Sequence, residues 1–347
     1  MNRHVKRFIH ENLADCKPSA YEGKHPEAAR VLLSRAAKRN TIFPKPLYRN
    51  QHVLTKGNEV VGGFDVMLTT LVSMEALHAS VDRILARQYW LSSKLPHAEW
   101  QTSSDVSSAS AEGADSPLLV RPASSRAGLG VTHNVAGATP LAQALDKAES
   151  RRSGGEYASE KVLIETFHEA VDLRLFVVHE SVVSALVRLP LFWRGDGRST
   201  HSELALQANA SRTATPLLHR FNKSLEGWFE RWPGVDSISE EGEIYFLSPH
   251  VNIRQAGLTV DVTDIVHPSH KELAVEASWA IPGSRSAAVD LLVEDVSEKS
   301  YALVQDFDAQ AELVPHHYPW MGRGRSVADS IMRAVSAKSL YHRLSNV

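Results

Sequence analysis

The side chains able to do chemistry fall in three stretches. In residues 161–200 (KVLIETFHEAVDLRLFVVHESVVSALVRLPLFWRGDGRST), a short polar link between two apolar, β-branched-rich runs, 162–164 and 175–178, carries Glu165, Asp172 and Arg174. A third run, 182–187, ends on Arg188, and a Gly195-Asp196-Gly197 turn flanked by Arg194 and Arg198 follows. Acidic and basic groups at strand ends suit a binding site; solvated charges at the ends of a β-meander are the plainer reading. Nearer the C-terminus, strand 287–293 carries Asp290 and strand 301–308 ends Asp306-Phe307-Asp308. Strand side chains alternate, so Asp306 and Asp308 share a face. Hard oxygen donors from adjacent strands suit Mg2+, which binds through carboxylates and phosphate oxygens; an exposed acidic turn is the competing reading. In residues 117–131 (PLLVRPASSRAGLGV) a short apolar strand ends on Arg121-Pro122. The small-residue loop 123–130 after it holds Ser125, Gly128 and Gly130. Glycines let backbone N–H groups approach an anion, although a lone Gly-x-Gly is most often an ordinary turn.

The elements around these groups read as a mixture of strands and helices. Residues 26–39 (PEAARVLLSRAAKR) have apolar side chains at helical spacing, suited to packing on the N-terminal part or to a contact in a homodimer. Residues 54–66 read as strand, turn, strand, and 67–91 as one long helical stretch containing Asp82-Arg83. Residues 101–116 are rich in Ser and Ala and read as a connecting loop. Helices are expected over 142–152, 203–209, 213–231 and 271–279, with Trp228, Phe229 and Trp232 as packing residues. A glycine-basic turn and a helix close the reading at 322–336.

At 347 residues the chain is long enough for two or three subdomains with a substantial core. Lys plus Arg (38) nearly balance Asp plus Glu (40), so charge does not argue for nucleic acid or an anionic membrane as partner. No run approaches the roughly 18–20 apolar residues that span a bilayer. Residues 1–17 are basic without an apolar core of the secretory kind, so a cytoplasmic location is the expectation. A single cysteine, Cys16, excludes an intramolecular disulfide and a multi-cysteine metal site.

Together these stretches resemble the ATP-grasp ligases, in particular the ATP-grasp part of cyanophycin synthetase and of the bifunctional glutathione synthetases, with D-alanine–D-alanine ligase more distant. Glu165, Asp172, Arg174, Arg188, Pro190, Gly195, Asp196, Gly197 and Thr200 fit the family's central pattern, with Ala170 where a glycine is usual. Residues 117–131 fit its strand and glycine loop, with Arg121 in place of a lysine, and Asp82-Arg83 stands for an Asp-Lys. In 250–268, Asn252, Gly257, Asp261, Val262, Thr263, Asp264, His267 and Pro268 align without a gap. Arg254 and Gln255 replace Ser-Thr there, and Ala256 replaces the first glycine. Asp306 and Asp308 take the places of a Glu-x-Asn. The spacing onward to His316, Tyr318 and Pro319 favours that register over one with Gln305 and Phe307, which would abolish the metal site. The resemblance spans about 67–336 and is strongest from 117 onward.

The resemblance implies an α+β chain: an ATP-grasp fold of two α+β subdomains clasping ATP, residues 93–168 and 169–347, after an N-terminal α/β pre-ATP-grasp subdomain, residues 1–92. It implies ATP and Mg2+ as cofactors. Arg83 and Arg121 would hold phosphates, under the loop with Ser125, Gly128 and Gly130. Glu165 would lie near the adenine, and Asp172 on the ribose hydroxyls. Asp290, Asp306 and Asp308 would hold the metal. Arg188, Arg254 and Asn252 would take the catalytic places, the arginines neutralising an acyl-phosphate or a substrate carboxylate. The implied reaction moves the γ-phosphoryl to a carboxylate, and an amine then displaces it to give an amide or peptide bond, through positioning and charge neutralisation. The expected partners are small-molecule carboxylates and amines, not nucleic acid or membrane. Arginine's planar fork is not equivalent to a lysine ammonium. A nucleotide-binding protein with degenerate or no ligase activity, acting as a binding or regulatory partner, is therefore the alternative.

Overall fold

Alternation and capping in the sequence build a mixture of helices and antiparallel sheets, seen in a computed structural model that describes residues 2–13, 26–105, 116–125, 127–155, 157–219, 221, 226–229 and 234–344. Cys16, Trp232 and most of the stretch 101–116 lie outside the described residues, as does the side chain of Trp228. The N-terminal part holds α1 (Arg3–Asn12), α2 (Ala29–Arg39), an antiparallel sheet of β1 (Phe43–Pro46), β2 (Gln51–Lys56), β3 (Glu59–Asp65) and β4 (Leu68–Thr69), then α3 (Met74–Val81) and α4 (Arg83–Ser92).

The expected long helix over 67–91 is thus two helices, and Asp82 is the reason. Its backbone is extended, at φ −108° and ψ 106°. Its N–H donates to the carbonyl of His78 and so closes α3, while its Oδ1 accepts from Ile84 N at 2.9 Å and opens α4. The break places Arg83 in the first turn of α4, aimed at the site. Asp82→Ala is expected to cost about 1 kcal/mol of stability, read as a lowered urea midpoint; an unchanged midpoint would show that the cap does not hold this junction.

The middle of the chain forms β5 (Trp100–Thr102), β6 (Leu118–Pro122), β7 (Thr132–Val135), α5 (Ala138–Glu149) and β8 (Val162–Thr166), in an antiparallel sheet ordered β5-β8-β6-β7. Its strands are apolar on both faces but unequally so. Val120, Val162 and Ile164 pack on Leu141, Ala144 and Ala148 of α5 in a small core of their own. The residues between them, Leu119, Arg121, Leu163 and Glu165, share the other face, because Leu119 pairs with Glu165 and Arg121 with Leu163.

The remainder comprises β9 (Val171–Val178), β10 (Ser181–Leu189), β11 (Phe192–Arg194), α6 (His201–Ala214), α7 (Pro216–His219), α8 (Glu226–Phe229), β12 (Ile244–Phe246), a 3-10 turn at Ile253–Gln255, β13 (Leu258–Asp261), α9 (Pro268–Trp279), β14 (Ser286–Val293), β15 (Ala302–Asp308), α10 (Val314–His317) and α11 (Val327–Leu344). Five strands form an antiparallel sheet ordered β13-β10-β9-β14-β15. One apolar core joins this sheet to the N-terminal helices: Phe8 and Ile9 of α1 and Leu33 of α2 share it with Leu173, Leu175 and Val335. The apolar face of α2 is spent inside the chain, and Arg39 at its end forms a two-pronged pair with Asp329 of α11 at 2.9 and 2.7 Å. Trp90 of α4, fully buried, donates to the carbonyl of Ala277 in α9 at 3.1 Å, which fixes α4 over the sheet. Among the described residues no helix is long and apolar enough to cross a membrane.

Candidate functional site

Glu165, Asp172 and Arg174 do not lie in a polar link, as the sequence suggests, but inside strands, and the register brings them into rows. Arg174 of β9 pairs directly with Asp290 of β14, and Asp290 with Asp306 of β15. Opposed residues of antiparallel strands project from the same face, so these three side chains form one row across the sheet. In the next row Asp172 faces Arg188 of β10. Asp308 lies one pleat beyond Asp306, opposite Ala288. Phe307 points into the core at 2% exposure, on the face opposite the acids. A β-bulge between Asp290 and Leu291 lies beside the acidic row.

Charge pairs fill this face. Arg174 grips Asp290 with two bonds, 2.7 and 2.9 Å, and lies 3.7 Å from Asp308. Arg188 grips Asp172 in the same way, at 2.6 and 2.9 Å, and adds a 2.8 Å bond to Asp290. Burial would lower the Arg188 guanidinium, but Asp172 and Asp290 outweigh it and hold it above its ordinary range.

A second cluster joins the two sheets to α4. Glu165, 1% exposed, receives Arg121 Nε at 2.7 Å and Arg87 Nε at 2.8 Å, and Arg87 Nη2 closes on it as well. Both arginines also donate to the carbonyl of Gln305 in β15 at 3.0 Å. Burial pushes the Arg87 guanidinium down to about 10, against the pull of Glu165. Asp306 takes Arg83 at 3.1 Å and Arg121 at 3.5 Å. Burial works to raise its carboxyl, but the guanidiniums of Arg83 and Arg121 win and hold it well below the usual range.

Arg83 also ties down the glycine loop. It donates to the carbonyls of Pro122 and Ala123 at 3.4 Å and of Ser125 at 3.3 Å, and reaches Ser125 Oγ at 3.5 Å. Gly128 and Gly130 sit at φ +71° and +78°, and a Cβ on Gly130 would meet Pro122 and Arg151 at 2.9 Å. Glycine is required there by conformation and by packing.

The structure thus brings Arg83, Arg121, Ser125, the glycine loop, Asp172, Arg188, Asp290, Asp306 and Asp308 to one place, which Glu165 adjoins through its bond from Arg121. Both oxygens of Glu165 accept from the buried arginines Arg87 and Arg121. Among the described residues no three His, Cys, Asp or Glu side chains are gathered to hold a metal ion. In kind and register the donors nevertheless suit magnesium: hard oxygens of Asp290, Asp306 and Asp308 on one sheet face.

The third part of the site is the turn 252–257. Asn252 caps it, its Oδ1 accepting from Arg254 N at 2.9 Å. A Cβ on Gly257 would meet the carbonyl oxygen of Val251 at 2.0 Å, so the chain can reverse there only with glycine. Gln255 Nε2 reaches the carbonyl of Ala127 at 3.1 Å and links the turn to the glycine loop. Buried Arg212 of α6 donates to the carbonyls of Ile253, Gly257 and Phe221, which fixes the turn from beneath. The exposed Arg254 guanidinium lies over the Phe221 ring at 5.0 Å and has no ion pair among the described residues. Asp261 and Asp264, its nearest sequence candidates for a pair, are both taken by Arg325.

No family model matches the chain. It is 27% identical over 236 residues to the glutathione biosynthesis bifunctional protein GshAB of Enterococcus faecalis, covering 63% of this chain and 30% of that protein. It is 26% identical over 226 residues to cyanophycin synthetase of Synechocystis sp., covering 62% of this chain and 25% of that one. The chain therefore spans only about a third or less of the curated relatives it matches. Among solved structures, a bifunctional glutathione synthetase from Pasteurella multocida superposes with a TM-score of 0.59 at 18% identity, over 88% of this chain and 44% of that one. The chain has the fold of that glutathione synthetase, the ATP-grasp fold, and is similar in sequence to GshAB and cyanophycin synthetase.

Proposed function

We propose that the chain is an ATP-dependent carboxylate–amine ligase that forms an amide or peptide bond through an acyl-phosphate, with an amino acid or small peptide as one substrate. The observation that carries this reading is the gathering of Arg83, Arg121, Asp172, Arg188, Asp290 and Asp306, scattered over the sequence, around one floor beside a glycine loop. On this reading Arg83 and Arg121 receive phosphates. Asp172 accepts from the ribose, since a carboxylate has lone pairs left beyond the two bonds from Arg188. Arg188 neutralises charge on the acyl-phosphate. Asp290, Asp306 and Asp308 are the residues that would hold Mg2+, which when bound neutralises phosphate oxygens. The test is release of ADP and phosphate with mixed amino acids and amines: turnover that needs both a carboxylate and an amine supports the ligase, and its absence overturns it.

Arg254 is the group for a substrate carboxylate, because its donors are uncommitted and a guanidinium pairs a planar anion with two bonds. Arg254→Ala is expected to lower kcat/KM by at least about 10-fold, and lysine to keep part of the activity at a raised KM. Unchanged kcat/KM in the alanine variant would remove Arg254 from recognition.

A second reading, nucleotide binding without catalysis, is favoured by one observation: every carboxylate of the site already faces a guanidinium. A thermal shift with ATP but no turnover with any acid–amine pair would select it.

A further inference from the structure

The two clusters of the site carry opposite net charge. Beside the glycine loop, Arg83, Arg87 and Arg121 face Glu165 and Asp306, an excess of one positive charge. On the sheet, Arg174 and Arg188 face Asp172, Asp290 and Asp308, an excess of one negative charge. Asp306 belongs to the first cluster by its contacts and to the second by its place. It is held by Arg83 and Arg121 at 3.1 and 3.5 Å, longer than the 2.7 Å from Arg121 to Glu165, yet it stands directly across from Asp290 and two residues from Asp308. Turning this one carboxylate away from the arginines would change the division from one charge of each sign to two of each sign. A divalent cation matches the negative pole so formed, and phosphate oxygens match the positive one.

We propose, resting on the reading of this place as a nucleotide site, that Asp306 is an exchange residue. Nucleotide and divalent metal enter as one complex, Asp306 passing to the metal while phosphates replace it on Arg83 and Arg121. Either ligand alone meets a site that is already matched. Free nucleotide has to displace Asp306 from the guanidiniums and leaves its carboxylate beside Asp290 and Asp308, where like charges oppose it. Metal alone strips the same carboxylate from Arg83, which is left without an ion pair among the described residues, and from Arg121, whose side chain is 8% exposed and keeps only the Glu165 carboxylate it shares with Arg87. The coupling is reciprocal: whatever metal adds to nucleotide affinity, nucleotide adds to metal affinity.

Calorimetry with the β,γ-imido analogue of ATP, in excess Mg2+ and in EDTA, reads the coupling directly, and electron paramagnetic resonance of Mn2+ reads metal uptake without nucleotide. The wild-type chain is expected to bind the analogue at least about 100-fold more tightly with Mg2+, and to take up no Mn2+ alone. Asp306→Asn frees Arg83, and the Nη1 of Arg121 that faces Asp306, without a metal. It should therefore bind the analogue in EDTA about 10-fold more tightly than wild type, with most of the Mg2+ dependence gone. Asp308→Asn leaves both arginines paired and should gain nothing in EDTA. Equal wild-type affinity with and without Mg2+, strong uptake of Mn2+ alone, or no gain in EDTA by a folded Asp306→Asn overturns the exchange while leaving the nucleotide site standing. The wild-type arms decide the matter even if that variant does not fold. Failure of the wild-type chain to bind the analogue under any condition overturns the nucleotide reading, and the exchange with it.

Discussion

Glu165→Ala is expected to destabilise the protein by about 3–5 kcal/mol, because it strands buried cations. Arg87 and Glu165 are each 1% exposed, and Arg121 is nearly as buried. With the carboxylate gone, Arg87 keeps only the carbonyls of Arg83 and Gln305, and Arg121 keeps the carbonyl of Gln305 and the long contact to Asp306. Urea unfolding checks the size. Adding Arg87→Met to Glu165→Ala should recover part of the loss, because an apolar side chain of similar length fills the space without a charge. A loss below about 1 kcal/mol would mean that the triad is solvated and not the weld between α4, the middle sheet and β15. The pH dependence has a definite sign. Burial would raise the Glu165 carboxyl, but Arg121 and Arg87 outweigh it and leave it below its ordinary 4.5. A depressed folded-state pKa gives stability that is present above the unfolded value. That stability is lost as pH falls below about 4.5 through the folded value. Glu165→Ala should accordingly flatten the acid limb of the stability profile.

Asp290→Asn is expected to lower turnover on the order of 10²–10³-fold, the scale for removing one charge-placing group from a preorganised site. Asp290 is 3% exposed and holds both Arg174 and Arg188 in place with charge-assisted bonds. The amide keeps the shape and one acceptor, so the fold should survive with a modest loss of melting temperature. Arg174 retains Asp308 and Arg188 retains Asp172. Turnover within about 10-fold of wild type would show that the acidic row serves the sheet and not the reaction.

Much of this site was legible because strand periodicity and motif spacing carry it. Asp306 and Asp308 share a face for no reason but the pleat, and the register that the spacing to His316 favours takes in the residue that pairs with Asp290. What escaped the sequence depends on long-range partners. Arg87 reads as one polar residue in the helical run ILARQYWL, and only the tertiary fold buries it against Glu165, 78 positions away. Its spacing of four from Arg83 on a helix was the available signal, since such residues lie on one face. The break at Asp82 was hidden because 67–91 is apolar enough to read as one helix, although an aspartate before Arg-Ile-Leu is a cap signal. Asp261 and Asp264 matched a motif without revealing their use. The partner, Arg325, lies in the glycine-basic turn just before α11 and anchors it to the end of β13, its guanidinium held above the ordinary range by the bonds it donates to both acids.

The most direct test of the central claim is a calorimetric titration of ATP with Mg2+ into the wild-type chain and into Asp172→Ala. The account predicts saturable binding at one site in the wild type, weakened in the variant by about 1–3 kcal/mol as hydrogen bonds to a charged acceptor are lost. Binding that is absent from the wild type, or equally tight in the variant, would contradict it.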